Sequence, residues 1–357
     1  MIRPPQGTQG PRLRSLLPTL LLCSATSLAE PGTVTPFGRF SLFAHSAPVS
    51  IDSALNDWQG RYRNGEEQFA YLWMEAGIRQ DDWSLSVLLR NDYGIRFSND
   101  TADYYHRTQN DIGTQDRRYD LDLGATHFTL SGLRMARYFH RPASGRQWRI
   151  GISLFTTTEL IDGTLGGTDQ QARLDYRYSE DTLFHRDVAK PTGWGASLDL
   201  AVDWRLDERT TLHGEATDLF GGIVWQNVPR TVADANADRS HLDENGNTML
   251  DPLVSGIETT ERRWTQRLPM RLHLIIDHAW HPRLSARLQL RHLNGNHHWA
   301  PGLRWRWHDL QTELSYWPDL DLVALQLKKN RWQLSVGLDT PDRQAAHTLY
   351  FGFSYNH

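Results

Sequence analysis

The sequence predicts an all-β fold, an antiparallel transmembrane β-barrel of about 14 strands (12–16). Three observations predict it. From Phe69 onward, apolar and polar residues alternate with a period of two in segment after segment, the spacing of strands with a different environment on each face. No stretch approaches the ~18 consecutive apolar residues of a membrane helix. Apolar residues make up 39% of the 357, which excludes a helical membrane protein but not a barrel, whose strands are only half apolar. The chain also opens on a segment that reads as an export signal.

That signal occupies residues 1–29. Arg3, Arg12 and Arg14 give a positive start without any acid, residues 16–23 form a short, mostly apolar core, and Ser27-Leu28-Ala29 places small residues before a cut at Glu30. The apolar core is too short to anchor in a bilayer. A lipoprotein would be cut before Cys23, but Leu22 is bulkier than such a cut accepts. Removal of the signal takes away the single cysteine, which suits passage through an oxidising periplasm. The formal charge of −4, with no basic run, gives no case for nucleic acid. The 14 tryptophans and 12 tyrosines suit membrane interfaces, although a soluble carbohydrate binder would share that richness.

Residues 30–66 form an N-terminal segment and 67–357 the barrel. Within 30–66 only the run from Phe37 to Phe43 is strand-like; the rest, punctuated by Asp52, Asn56 and Gly60, reads as a periplasmic segment, a plug or a long first loop. Phe69, Tyr71 and Trp73 alternate, and Trp83, Leu85, Val87 and Leu89 alternate against Ser84, Ser86 and Arg90. Residues 91–122 read as a long polar loop. Thr126, Phe128 and Leu130 open the next strand; Ile150, Ile152 and Leu154 another; residues 174–178 a weak one. Ala196, Leu198, Leu200, Val202 and Trp204 oppose Ser197, Asp199, Ala201 and Asp203, and a tight turn at 207–209 leads to return strands at 211–216 and 223–225. Residues 226–266 read as the longest polar gap. From Met270 strands follow quickly, with short turns near Pro282, Gly295, Asp319, Asn330 and Asp342. A soluble sandwich would also alternate, with its apolar face inward.

The last residues are Leu349-Tyr350-Phe351-Gly352-Phe353-Ser354-Tyr355-Asn356-His357, an aromatic face against a small or polar one. Gly352, Phe353, Tyr355 and His357 resemble the C-terminal assembly signal of bacterial outer-membrane β-barrels. The span from Gly193-Trp194-Gly195 through Asp199 and Trp204 to Asp218-Leu219-Phe220-Gly221-Gly222-Ile223-Val224-Trp225 resembles FadL-type and TraF-type barrels, where a Gly-x-Gly strand precedes an Asp-Leu-Gly-type hairpin ending in Trp. The resemblance implies an outer-membrane location, with outer-membrane lipid and the barrel-assembly machinery as partners. It implies no substrate.

The chemistry-bearing residues sit on the polar strand faces. Arg287 and Arg291 share one face, Arg304 and Arg306 the matching face of the next strand, and Arg271 lies on the preceding one. In a barrel they form a basic track in the lumen, able to steer anions. Asp199, Asp203, Glu215 and Glu313 could instead pair with them and fill the lumen. Asp243, Glu244, Asn245, Asn247 and Asp251 offer oxygen ligands, but Thr248 and Val254 stand where a calcium loop needs Gly and Glu. His278, His281, His292, His297 and His298 carry no compact zinc spacing, so neither metal nor cofactor is expected. A lipid-acting hydrolase needs a strand-borne His beside a nucleophile; His140 near Ser144 is interrupted by Pro142, and His127 with Asn91-Asp92 supplies only fragments. The expected function is therefore non-enzymatic: a channel or transporter for small solutes, anionic ones among them. A binding or assembly component of an export system, or a hydrolase, are the alternatives.

Overall fold

The computed structural model describes residues 34–141, 145–181, 186–237, 240–242, 248–250 and 253–355. The expected signal at 1–29, His357 and the oxygen-rich run at 243–247 lie outside the described residues. The strands are β1 (Thr35–Ser46), β2 (Glu67–Gln80), β3 (Trp83–Phe97), β4 (Asp120–Arg141), β5 (Arg146–Thr168), β6 (Gln171–Tyr178), β7 (Thr192–Arg205), β8 (Thr210–Asn236), β9 (Ser240–Leu242), β10 (Thr248–Leu250), β11 (Leu253–Arg267), β12 (Arg271–His281), β13 (Leu284–Leu293), β14 (Asn296–Trp307), β15 (Leu310–Trp317), β16 (Leu322–Lys329), β17 (Trp332–Leu338) and β18 (Thr348–Tyr355). Two helices, α1 (Ile51–Ala54) and α2 (Asn99–Gln109), lie in the long connections.

Antiparallel pairing runs unbroken around the molecule and closes where Gly38 to His45 of β1 meet Tyr355 to Thr348 of β18. β6 and β7 both lie between β5 and β8, one above the other, and β11 and β12 stack in the same way on the far side of β8. Each pair fills one wall position, and β9 with β10 forms a separate hairpin, so the wall has 14 strands. Of the alternatives for 30–66, residues 35–46 are a wall strand and 47–66 an outer loop.

The apolar side of the alternation is the exposed side. Leu85 and Val87 are 50% and 58% exposed, while Arg90 on the opposite face is 1% exposed. A soluble sandwich requires the reverse, so the apolar face is solvated by lipid. Trp83, Trp280, Trp305, Trp307 and Trp332 all stand at the end joined by short turns, where a headgroup girdle belongs. Short turns mark the periplasmic end, and the long connections 47–66, 98–119 and 237–252 mark the outer end. The molecule is a bacterial outer-membrane β-barrel.

One side of the barrel is much taller than the other. β4, β5 and β8 have 22, 23 and 27 residues, whereas β17 and β18 have 7 and 8. The gap expected at 226–266 is therefore largely strand, with β8 running to Asn236 and β11 returning, whereas that at 91–122 is strand only at its ends, β3 running on to Phe97 and β4 starting at Asp120, with α2 and loop between them. The outer ends of these strands are held in part by ion pairs such as Arg177–Glu261 (2.9 Å), so the apolar–polar alternation fades there. The return expected as two strands, 211–216 and 223–225, is one strand, β8. The hairpin expected at Asp218-Leu219-Phe220 is a bulge within it: the register shifts against β7 between Leu198 and Leu200, and Asp218 adopts φ 57°.

Candidate solute vestibule

The inward faces of β1, β2, β4, β5, β7, β8 and β12 to β18 surround a polar cavity of about 1060 Å³ at the periplasmic end. Its walls follow directly from the period of two. Leu133 and Met135 face lipid, so Arg134 between them faces inward and meets Glu75 (3.2 Å) and Asp199 (2.9 Å). Leu288 faces lipid, so Arg287 faces inward and makes a two-pronged contact with Asp277 (2.7 and 2.8 Å), besides reaching Glu313. Arg304 joins the same Asp277 at 2.9 Å, and Gln289 donates to Glu313 at 2.8 Å. Arg149 and Arg39 share Glu215 at 2.5 and 3.8 Å.

Above the cavity the lumen closes. Phe43, Phe69, Tyr71, Leu293 and Trp317 pack on one side of it, and Phe128, Leu130, Phe155, Ile223 and Trp225 on the other. Between them lies a buried ionic layer. Arg90 holds Asp218 through Nη1 and Nη2 (3.0 and 2.8 Å) and reaches Asp92 Oδ2 at 2.7 Å; Arg271 donates to that same Asp92 oxygen. Arg271 stacks on Tyr71 at 4.1 Å and Arg90 on Trp73 at 5.0 Å, which ties the ionic layer to the aromatic one. Asp218 also donates its backbone N–H to Asp199 (3.0 Å), linking this layer to the vestibule wall. The positive φ of the bulge turns Asp218 inward at that height.

Arg291 differs from the other lumen arginines. It lies at the ceiling of the vestibule, facing Phe43 (5.8 Å), Trp317 (4.8 Å) and Tyr350 (5.2 Å). Its Nε is buried without a hydrogen-bond partner, and among the described residues no carboxylate lies within ion-pair distance of it. Arg291 is thus the lumen guanidinium that faces aromatic rings instead of a carboxylate.

The structure separates the residues singled out in sequence. Arg287, Arg291, Arg304, Asp203 and Glu313 line the vestibule. Arg271 belongs to the closed layer, and Asp199 pairs with Arg134 instead of the 287/304 group. Asp203 bonds His213 at 2.7 Å and Glu215 pairs with Arg149 and Arg39, so of the four acids expected to pair with the ladder only Glu313 does so. Arg306 is exposed near the periplasmic rim. Gly352 faces the lumen, and Phe353 and Tyr355 face outward beside Trp332. The sequence reading missed Asp277, Glu75, Arg134, Arg90, Asp92 and Asp218. Arg134 and Asp277 carried a usable signal, a single charge inside a strand; Asp92 was hidden in an apparent loop. The five histidines do not converge. His292 and His297 form a cross-strand ring pair at 4.6 Å, His298 points into the lumen near Glu67, and no metal-binding group of three is present among the described residues.

No protein-family model and no curated relative matches the chain. Solved structures that resemble it include the Pseudomonas putida toluene transporter TodX, at 11% identity and TM-score 0.41, covering 91% of this chain and 88% of that one. The CymD monoaromatic hydrocarbon channel is similar at 9% identity and TM-score 0.41, covering 92% and 89%. A Pseudomonas aeruginosa FadL homologue gives 9% identity and TM-score 0.28 over 90% and 86%.

Proposed function

We propose that this protein is a gated outer-membrane channel or transporter for small solutes, with a periplasmic vestibule that favours anions bearing an apolar ring. The observation that carries the reading is a cavity of about 1060 Å³ that ends on Arg291 and its three rings, beneath a closed layer of side chains. A structural barrel needs no hollow of that size, and an arginine present for stability would face an acid, as Arg90, Arg134 and Arg287 do.

Planar-bilayer recordings test it. The closed layer leaves a small conductance with an anion preference. That preference weakens as salt rises to 1 M, where the Debye length falls to ~3 Å. Arg291→Gln lowers the preference and abolishes quenching of tryptophan fluorescence by benzoate. A large, cation-selective conductance insensitive to Arg287→Ala and Arg304→Ala overturns the reading. The absence of any conductance and of any benzoate response leaves an assembly or binding component in its place.

A further inference from the structure

A hollow on the outside of the barrel, lined by hydroxyl, amide and carboxylate side chains beside Trp194, is unexplained by passage through its lumen. On β3, β4 and β5 the lipid-facing residues are apolar through Leu89, Leu133 and Leu154, as a belt requires. Further out, the same face becomes Asn91 on β3, Ser131, Thr129 and His127 on β4, and Thr156, Thr158 and Glu159 on β5, and Asn91, His127, Thr129 and Glu159 are joined to one another. Thr129 Oγ1 donates to Glu159 Oε2 at 2.5 Å; Asn91 Nδ2 donates to Thr129 Oγ1 at 2.6 Å and lies 3.1 Å from His127 Nε2.

Two irregularities open a hollow of about 470 Å³ beside this chain of groups. The register of β4 against β5 shifts between Thr129 and Ser131, which puts Thr158 and Glu159 both outward. β6 pairs with β5 as far as Ile161 and β7 as far as Thr157, so among the described residues β5 has no ladder partner at Thr158 and Glu159. The hollow is lined by Thr156, Thr158, Glu159, Thr192, Gln226 and the half-exposed ring of Trp194. Its size falls within the ~300–1,000 Å³ of small-molecule sites.

We infer that this hollow binds the sugar headgroup of an outer-leaflet glycolipid. The lining offers hydroxyls, an amide and one carboxylate, with no cation lining it. That set is suited to a neutral polyol and ill suited to a phosphate, since Glu159 would repel it. A carboxylate accepts from neighbouring sugar hydroxyls, and a tryptophan face covers the apolar side of a sugar ring. The source is the membrane because the hollow is continuous with the belt: a headgroup seated at Glu159 leaves its acyl chains along Leu89 and Leu154. The interlocked Asn91, Thr129 and Glu159 fix the carboxylate before the ligand arrives, which lowers the cost of ordering it.

The test uses the full chain purified in dodecylphosphocholine and titrated with dodecyl maltoside, with Trp194 fluorescence and the thermal midpoint as readouts. Dodecyl maltoside should raise the midpoint and change the fluorescence saturably. Free maltose should do so only at far higher concentration. Glu159→Gln removes a charged acceptor without changing shape and should raise the half-saturating maltoside concentration about tenfold. Trp194→Leu should weaken the midpoint response while leaving heat-modifiable gel migration intact, which shows that the barrel still folds. Equal responses to added phosphocholine and maltoside detergents, equal potency of free maltose, or indifference to both substitutions would each overturn the inference.

Discussion

Arg90 and Arg291 show two uses of one side chain. Arg90 is fully buried between Asp92 and Asp218, so its removal leaves two carboxylates in the dry middle of the lumen, one still held by Arg271. Arg90→Ala should therefore cost ~3–5 kcal/mol in urea refolding from detergent micelles. Replacing the pair together, Arg90→Met with Asp218→Leu, should cost less than Arg90→Ala alone, because no bound partner is stranded. Arg291 strands no acid when it is removed, so Arg291→Met should stay within ~1 kcal/mol of the parent while losing the benzoate response. If Arg291→Met destabilises as much as Arg90→Ala, the distinction between a structural and a ligand-facing arginine fails. The period of two placed Arg287, Arg304 and Glu313 on inward faces correctly from sequence. It could not pair Arg90 with Asp218, because that contact joins residues 128 positions apart across a closed wall.

At the scale of elements, depth and exposure decide what a residue is worth. β18 presents Phe351 and Phe353 to lipid, but at different heights. Phe353 lies beside the girdle residue Trp332 (5.4 Å), whereas Phe351 lies opposite Val336 and Leu42. Phe351→Arg should cost ~2–4 kcal/mol and Phe353→Arg only ~0–1, because the penalty for a lipid-facing charge fades toward the interface. Equal costs would place the two rings at one depth and contradict the girdle. The outer loop 98–119 follows a different rule. Ser98 caps α2 by accepting from Thr101 N (3.1 Å), and Asp100 in its first turn accepts from Arg117 (2.8 Å) and from Asp120 N (3.1 Å). The hydrogen bond from Arg117 holds the Asp100 carboxyl below its ordinary value. A depressed carboxylate stabilises above the unfolded value of ~3.9 and loses that contribution as pH falls through the folded value. Proteolysis of the 98–119 loop by an acid-stable protease should thus accelerate below about pH 4, and Asp100→Asn should be fast already at pH 5. These residues looked like featureless loop in sequence because polar side chains serve a water-facing strand, a helix cap and a true loop alike. The belt strands β13 to β18 were legible because lipid permits only one pattern there.

For the molecule as a whole, everything rests on closure. An open sheet would leave β1 and β18 as free edges, and free edges are not tolerated in hydrocarbon. The sequence supplied the number and direction of the strands, but the wall position shared by β6 with β7, and by β11 with β12, follows from pairing to β8, which no local pattern encodes. Closure also explains why the barrel can be tall on one side and short on the other: the ladder needs continuity around the ring at belt height only, and β1 meets β18 over that height. The joint can be tested chemically. Arg39 of β1 faces Ser354 of β18 directly in the register, and such antiparallel partners have Cα atoms ~4.5–5.5 Å apart, within the range a disulfide spans. In a Cys23→Ala background, Arg39→Cys with Ser354→Cys should oxidise readily in the folded protein and close the chain into a near-complete loop. After boiling, the oxidised form should migrate differently from the reduced one. Shifting one partner to Gly352→Cys moves it two residues along β18 and should largely abolish the bridge, since the register puts Gly352 opposite Ser41. Efficient cross-linking of the shifted pair, or none of the aligned pair, would mean that the first and last strands do not meet as described.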